Sequence, residues 1–100
     1  MIKFKTQVYS WISTSIGEEK QAGRLVEKEV AEGTTVAGYF AQLAEKHPEF
    51  RRLIYDPEAE MINDEVVIIY NDRVELFSKI KDRVISEKDT LTLSPVLVGG

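Results

Sequence analysis

The alternation of apolar and polar residues is the feature that most limits how this chain folds, because it appears at both ends of the sequence. Residues 2–8 place Ile, Phe, Thr and Val on one parity and Lys and Gln on the other, which is typical of a half-buried strand. Residues 24–30 alternate in the same way and predict a second strand. We expect the two strands to form a hairpin with a turn at residues 16–19, since Gly17 and Gly23 lie in the connection.

One later stretch has the spacing of a helix with an apolar stripe. Thr34 or Thr35 is expected to supply the N-cap hydroxyl, and Pro48 ends the helix because the residue before a proline avoids helical backbone angles. Residues 49–55 predict another short helical turn. The residues of the stripe are Val36, Phe40, Leu43 and His47.

The second half of the chain predicts three further strands. Residues 66–70 are four β-branched residues and a tyrosine, which indicates a strand buried on both faces. Asn71-Asp72 is a turn signal before a short strand at residues 74–76. Residues 90–93 alternate cleanly, with both leucines inward, and the proline at position 95 is expected to stop ladder pairing.

The order of these elements predicts an α+β fold. Two strands, a helix, a strand, a short strand and a last strand make a roll, with one main helix on a mixed four- to five-stranded sheet. With the first and last strands side by side in the centre, this is the β-grasp, ubiquitin-like arrangement. Residues 1–95 are predicted as a single domain, because 100 residues are too few for two. Residues 96–100 are predicted as a flexible C-terminal tail.

Composition excludes several classes of function. The chain has no cysteine, so it has no disulfide, zinc–thiolate site or cysteine nucleophile. Its net charge of −4 and scattered basic residues give no reason to bind nucleic acid, although an acidic surface suits a basic partner. No apolar run approaches the ~20 residues that span a bilayer, and the alternating N-terminus is not a signal peptide. We therefore expect a cytoplasmic protein with no nucleic-acid or membrane partner.

Few side chains suggest catalysis or metal binding. His47 is the sole histidine, and capping a helix end explains it better than either role. The acidic residues between positions 56 and 65 lack the spacing and the glycine of an EF-hand. The serines at positions 10, 13 and 15 have no paired base. We predict neither catalytic residues nor metal ligands.

The C-terminus is the most unusual part of the sequence. Gly99-Gly100 follows a proline and three apolar residues. Glycine adopts most backbone angles and approaches other surfaces closely, so a Gly-Gly end can thread a narrow channel and present its carboxylate to a nucleotide. A carboxylate must be activated, commonly as an acyl-adenylate, before it accepts sulfide or an amine. The tail therefore predicts acyl chemistry performed by another protein.

Three segments resemble the MoaD/ThiS family of ubiquitin-like sulfur carriers. The last twelve residues are similar to the family pattern of an acidic turn, a short apolar strand, a proline and a terminal Gly-Gly. Residues 69–71 resemble its step of two apolar residues and an asparagine, and residues 36–47 lie where its main helix belongs. The sequence departs from the family at Lys88, where glycine is usual, and at Ser94, where an aromatic residue is common.

The resemblance implies a role for each residue of the tail. Gly100 would be adenylated and then thiocarboxylated, and Gly99 would give the tail its freedom. The implied partners are a ubiquitin-activating-type adenylating enzyme, which uses ATP, and a MoaE-like synthase large subunit. The chain itself would bind no cofactor and would be a carrier rather than an enzyme. The apolar residues that would fill the entrance of the partner's channel are Val96, Leu97 and Val98.

The pathway and the acceptor stay open. The resemblance is closest to the small-subunit branch of molybdopterin synthase, which implies molybdenum or tungsten cofactor biosynthesis, whereas other relatives supply sulfur for thiazole synthesis. The same activated tail can instead form isopeptide bonds with protein lysines. A third possibility is a non-conjugating interaction module in which the glycines are incidental.

Tyr9 and Trp11 have two interpretations of equal weight from the residues alone. If the first strand continues, both take its outward parity and form an exposed docking patch, since interface cores favour Tyr and Trp. If the strand ends near Tyr9, Trp11 folds back onto the core. In the family, an apolar patch beside the tail contacts partners, which favours docking, with Ser94 and Pro95 adjacent.

Overall fold

The computed structural model describes residues 1–96, which form seven strands, four α-helices and one 3₁₀ turn. Strands dominate the first and last thirds of this part of the chain, and the main helix lies between them. The elements in chain order are β1 (Ile2–Val8), α1 (Ser10–Ser15), the 3₁₀ turn (Glu19–Gln21), β2 (Leu25–Val30), α2 (Val36–Lys46), α3 (Pro48–Leu53), β3 (Tyr55–Asp56), β4 (Met61–Ile62), β5 (Val66–Tyr70), β6 (Arg73–Glu75), α4 (Phe77–Ile80) and β7 (Thr90–Pro95).

The main sheet has five strands in the order β2-β1-β7-β5-β6. β1 and β7 lie side by side and run parallel, whereas the other neighbouring strands are antiparallel. β3 and β4 form a separate two-stranded sheet. The mixed sheet and the pairing of the first strand with the last confirm the β-grasp fold.

One face of the sheet is covered by α2 and the aromatic side chains around it. Phe40 is fully buried, and its ring stacks on Phe77 with centroids 5.5 Å apart. The rings of Phe50 and Tyr55 pack edge-on against the Phe40 ring, with centroid distances of 6.1 and 5.5 Å. On the opposite face, the outward residues of β1 and β5 are exposed or half-buried. That outer face is therefore open to contact with other molecules.

The ends of α2 follow the predicted signals. Thr35 is its N-cap, because the Gly38 N–H donates to Thr35 Oγ1 at 3.0 Å. Pro48 begins α3, so α2 ends at Lys46, and the half-buried His47 lies between the two helices. Within residues 1–96, none of the helices has the length and apolar character that crossing a membrane requires.

The connection between β1 and β2 contains a helix that was not predicted from the sequence, in addition to the turn expected at residues 16–19. Ile12 and Ile16 are buried and attach α1 and its C-cap to the core. The hydroxyls of Ser13 and Ser15 donate to backbone carbonyls of the same helix at 2.6 Å. Serine and threonine are weak helix formers, so tertiary packing rather than local propensity stabilises this segment.

The prediction that β5 is buried on both faces is wrong. Val66, Ile68 and Tyr70 are buried against the core, but Val67 and Ile69 are only half-buried on the outer face. Within residues 1–96, no second layer covers them on the outer face. The apolar run in the sequence therefore combines a core face with an exposed apolar face.

The prediction that Pro95 stops ladder pairing is also wrong. Pairing with β5 continues through Pro95, and the Val96 N–H donates to Glu65 O at 2.8 Å. Leu93 O accepts the Tyr9 N–H at 3.0 Å, and strand alternation turns residue 95 to that same side of β7. β1 ends at Val8, which is opposite Leu93, so this strand does not extend as far as Pro95. The missing N–H of the proline therefore removes no ladder bond.

Candidate functional site

The tail residues to which the sequence assigns the chemistry lie outside the described residues: Leu97, Val98, Gly99 and Gly100. Their roles stay predictions, as does the domain boundary after residue 95. Val96 is the last described residue, and it is 41% exposed while its N–H remains bonded to the chain before β5. The chain therefore passes beyond Val96 from the end of the central strand.

A buried polar network fixes the start of β7. The Asp89 carboxylate accepts a hydrogen bond from Tyr70 Oη at 2.5 Å and another from the Ser86 N–H at 2.9 Å. Asn71 Nδ2 donates to the same carboxylate at 3.0 Å. Asn71 also holds the first residue of the strand, since the Thr90 N–H donates to Asn71 Oδ1 at 2.9 Å. The acidic turn and the Tyr-Asn step seen in the sequence are thus parts of one structural unit.

The protonation state of this network follows from its partners. Burial alone would raise the pKa of Asp89, but the three hydrogen bonds and the nearby Arg83 guanidinium lower this pKa below its ordinary value. Burial and the hydrogen bond to Asp89 raise the pKa of Tyr70 far above its ordinary value. Arg83 also lies 4.6 Å from the centroid of the Tyr70 ring. At neutral pH a carboxylate therefore faces a neutral phenol, and the pair anchors the strand.

The backbone conformation of Lys88 shows why the family usually has glycine at this position. Its φ is +70°, in the left-handed region where the family usually has glycine. Its N–H donates to Lys3 O at 3.3 Å, so the turn keeps its contact with β1. The lysine adopts the glycine conformation at a cost of about 1 kcal/mol.

The structure distinguishes the two interpretations of Tyr9 and Trp11. β1 ends at Val8, so the strand-parity argument for their exposure is wrong. Trp11 nevertheless does not fold into the core, because it lies on α1 and is 39% exposed, and Tyr9 is 38% exposed. Gly23 has a φ of +77°, and a Cβ there would lie 3.2 Å from the Tyr9 ring. Glycine therefore lets this ring pack against the backbone of the β1–β2 connection.

All four residues predicted to dock a partner line one cavity of about 690 Å³, which we call the aromatic groove. It lies on the outer face of β1, β7 and β5, where Gln7, Thr92 and Ile69 are neighbours in register. Asp72, in the turn between β5 and β6, is the one acidic residue among the described residues that line the groove. The lining residues are Gln7, Tyr9, Ser10, Trp11, Ile69, Asp72, Thr92, Ser94 and Pro95.

A second cavity of about 310 Å³ lies across β5, and we call it the valine groove. Val74 and Leu76 are 73% and 65% exposed there, next to Val67 and Val96. Large exposed apolar residues in one patch are typical of interaction sites. The two grooves together form what we call the apolar face, made of Tyr9, Trp11, Val67, Ile69, Val74, Leu76, Pro95 and Val96.

Half of the apolar face was missed from the sequence. Val74 and Leu76 were assigned only to a short strand, and Val67 and Ile69 were assigned to a second buried face. The available signal was an apolar character on both parities of residues 66–70, followed by further apolar residues on a short edge strand. That pattern fits an exposed apolar face as well as double burial.

The residues that were set aside as catalytic or metal-binding candidates stay apart in the structure. His47 lies between two helices, and the Ser13 and Ser15 hydroxyls are bonded to backbone carbonyls. Among residues 1–96, no three His, Asp or Glu side chains are grouped so that they would hold a metal ion.

Comparison with known proteins gives a family and a set of similar structures. The ThiS family model matches residues 17–100. No curated protein sequence matches the chain. Small archaeal modifier protein 1 of Haloferax volcanii has a TM-score of 0.69 at 15% identity, over 97% of this chain and 100% of that chain.

Two further solved structures have the same fold. The putative molybdopterin converting factor subunit 1 of Pyrococcus furiosus has a TM-score of 0.67 at 20% identity, over 97% of this chain and 100% of that chain. A chain of the BexX/CysO complex of Amycolatopsis orientalis has a TM-score of 0.64 at 24% identity, over 97% of this chain and 99% of that chain. At these identities the structures support the fold alone.

The family model, in contrast, covers most of the chain and confirms the resemblance seen in the sequence. ThiS and MoaD proteins are small carriers rather than catalysts, which confirms that the chain is not itself an enzyme. This chain therefore belongs to the ThiS family and is a β-grasp protein of the MoaD/ThiS type.

Proposed function

We propose that this chain carries sulfur as a thiocarboxylate on Gly100. The observation that carries the proposal is the family match, which runs through the Gly-Gly end to residue 100. The domain supports it, because the central strand ends on an exposed apolar face from which the chain continues. Gly99 allows the last carboxylate to enter a confined active site.

The chemistry takes place in the active site of a partner. The Gly100 carboxylate attacks the α-phosphorus of ATP, which forms an acyl-adenylate and releases pyrophosphate. Sulfide from a sulfur donor then attacks the acyl carbon, the C–S bond forms, and AMP leaves. ATP is bound by the activating enzyme, and this chain binds no cofactor in the scheme.

We assign docking to the apolar face. Tyr9 and Trp11 present aromatic side chains of the type enriched in interface hot spots, beside Ser94 and Pro95 at the end of β7. A partner bound there is next to the point where the tail begins, and Val96, Leu97 and Val98 fill the entrance to its active site. The partners in this scheme are a ubiquitin-activating-type adenylating enzyme and a MoaE-like large subunit.

We further assign the chain to molybdenum or tungsten cofactor biosynthesis in the cytoplasm, as the small subunit of molybdopterin synthase. The sequence resemblance supports this, and so does the name of one structural neighbour, a molybdopterin converting factor subunit. Affinity purification from the native cells should recover a MoaE-like large subunit. Recovery of a thiazole synthase in its place would contradict this pathway.

Reconstitution tests the proposed chemistry. The chain is incubated with the adenylating enzyme of its own organism, ATP and a sulfur donor, and intact-mass spectrometry should show a gain of ~16 Da as sulfur replaces oxygen. A variant without Gly99 and Gly100 is the control and should gain nothing. The proposal would be contradicted if the mass of the full chain stayed unchanged although the same enzyme released pyrophosphate with another carrier protein.

Conjugation to protein lysines is a second candidate, favoured by the structural similarity to small archaeal modifier protein 1. Both functions use the same adenylated carboxylate, but here a lysine amine rather than sulfide displaces AMP. Peptide mapping of native cell extracts distinguishes them, because conjugation leaves Gly-Gly remnants on partner lysines. Their absence, together with a thiocarboxylate on the chain, would favour sulfur transfer alone.

A further inference from the structure

Charge around the apolar face has one sign. Asp72 lines the aromatic groove, and Asp64 and Glu75 line the valine groove. Among the residues that the structure describes, no lysine or arginine lines either groove. Arg73 has the same strand parity as Glu75, but only Glu75 lines a groove.

These three carboxylates, like most acidic residues of the surface, form no ion pair within residues 1–96. The ion pairs within residues 1–96 join Glu18 to Lys28, Glu49 to Arg52, Glu58 to Arg51 and Glu60 to Lys81. Asp64, Asp72 and Glu75 are in none of them. Their charge is therefore not neutralised by a neighbouring side chain in the described part of the molecule.

The other half of the same sheet face provides an internal comparison. There Lys3 lies opposite Glu29 and Lys5 lies opposite Glu27 across β1 and β2. Opposite charges in register stabilise a sheet and cancel its field. One half of the outer face thus has lysines and glutamates opposite each other in register, whereas the grooves of the apolar half are lined by carboxylates and, within residues 1–96, by no lysine or arginine.

We propose that the adenylating enzyme that receives the Gly-Gly end binds the apolar face with an apolar patch of its own flanked by arginine or lysine side chains. The inference rests on the proposed function and adds the chemistry of the partner surface. Apolar contact with Trp11 and its neighbours supplies the affinity. Attraction to Asp64, Asp72 and Glu75 steers the encounter and fixes the orientation, because charges at the margin of an interface act mainly on association rate and specificity.

The test is the salt and variant dependence of adenylation. Pyrophosphate release by the adenylating enzyme of the source organism is measured against chain concentration at low and high salt. For the triple variant Asp64→Asn, Asp72→Asn and Glu75→Gln, KM should rise about 10-fold at low salt while kcat changes by less than about twofold. Asparagine tolerates the positive φ of 69° at position 72, so the turn is retained.

Glu32→Gln is the matched control, because Glu32 is an exposed carboxylate in the β2–α2 connection, away from both grooves. Its KM should equal that of the wild type, and the KM of the wild type should rise with salt more steeply than that of the triple variant. A triple variant with unchanged KM while the wild type is adenylated overturns the inference and leaves the proposed function standing. A wild-type chain that is not adenylated overturns both.

Discussion

The two ends of the central strand β7 are stabilised in opposite ways. At its start, Asp89 is 7% exposed, and its carboxylate accepts hydrogen bonds from Tyr70, Asn71 and the Ser86 N–H. At its end, Val96 is 41% exposed on the apolar face. Buried and satisfied polar groups contribute to folding, whereas an exposed apolar patch lowers the free energy only when a partner covers it. Changes at the start of the strand should therefore affect stability, and changes at its end should affect binding.

The largest expected effect is on stability, at the start of the strand. Asp89→Ala should lower the free energy of unfolding by about 3 kcal/mol, because it leaves the Tyr70 hydroxyl and the Asn71 amide without their buried acceptor. Urea denaturation followed by circular dichroism measures the loss. At a temperature where the variant remains folded, its KM for adenylation should match the wild type. A loss below about 1 kcal/mol would show that the network does not anchor β7.

The next effect is on binding, at the end of the strand. Trp11→Ala should raise the KM for adenylation about 10-fold, since truncating an interface tryptophan costs binding energy, while stability falls by less than about 1 kcal/mol. Met61→Ala is the matched control, because Met61 is 64% exposed but lies on β4, outside the apolar face. Equal KM values for the two variants would remove Trp11 from the docking surface.

A smaller effect concerns acid stability. The pKa of Asp89 is lowered in the folded chain, so the unfolded chain binds this proton at a higher pH. The resulting stability is complete above the unfolded pKa near 4 and is lost as pH falls through the folded pKa. Thermal unfolding between about pH 2 and pH 6 should therefore show a weaker dependence on pH for Asp89→Asn than for the wild type. Parallel pH profiles would contradict the assigned charge state.

The smallest effect is a gain in stability. Lys88→Gly should raise the free energy of unfolding by about 0.5 kcal/mol, because relief of the left-handed backbone outweighs the added freedom of glycine in the unfolded chain. Lys79→Gly is a useful contrast, since Lys79 lies within α4 and the same change should destabilise. Calorimetric midpoints report both, and a loss on Lys88→Gly would refute the strain assigned to this turn.

Much of the fold was predictable because its main elements have strong local patterns. The alternation in β1 and β7, the stripe and N-cap of α2, and the Asn71-Asp72 turn each follow from a few neighbouring residues. The turn has a positive φ at both central positions, as a type I′ hairpin turn requires. α1 has no such pattern, and it forms because Ile12 and the C-cap residue Ile16 reach a core assembled from distant parts of the chain.

The candidate site was predictable in its residue types but not in its extent. Tyr9, Trp11, Ser94 and Pro95 were expected near the tail, and the structure brings them together in one groove. The contribution of Asp72 depends on which strands are neighbours in the sheet, and that information is non-local. The effect of Pro95 on pairing likewise depends on where β1 ends, which its own neighbours in sequence do not specify.

The central claim is that the chain carries sulfur on the carboxyl group of Gly100. Top-down mass spectrometry of the chain purified from its native cells tests this claim most directly. Fragment ions that contain Gly100 should be heavier by ~16 Da in part of the population, because sulfur replaces one carboxylate oxygen. Fragment ions from residues 1–96 should be unmodified. A native chain with no added mass on its last residue, in cells that are actively making the sulfur-containing product, would contradict the account.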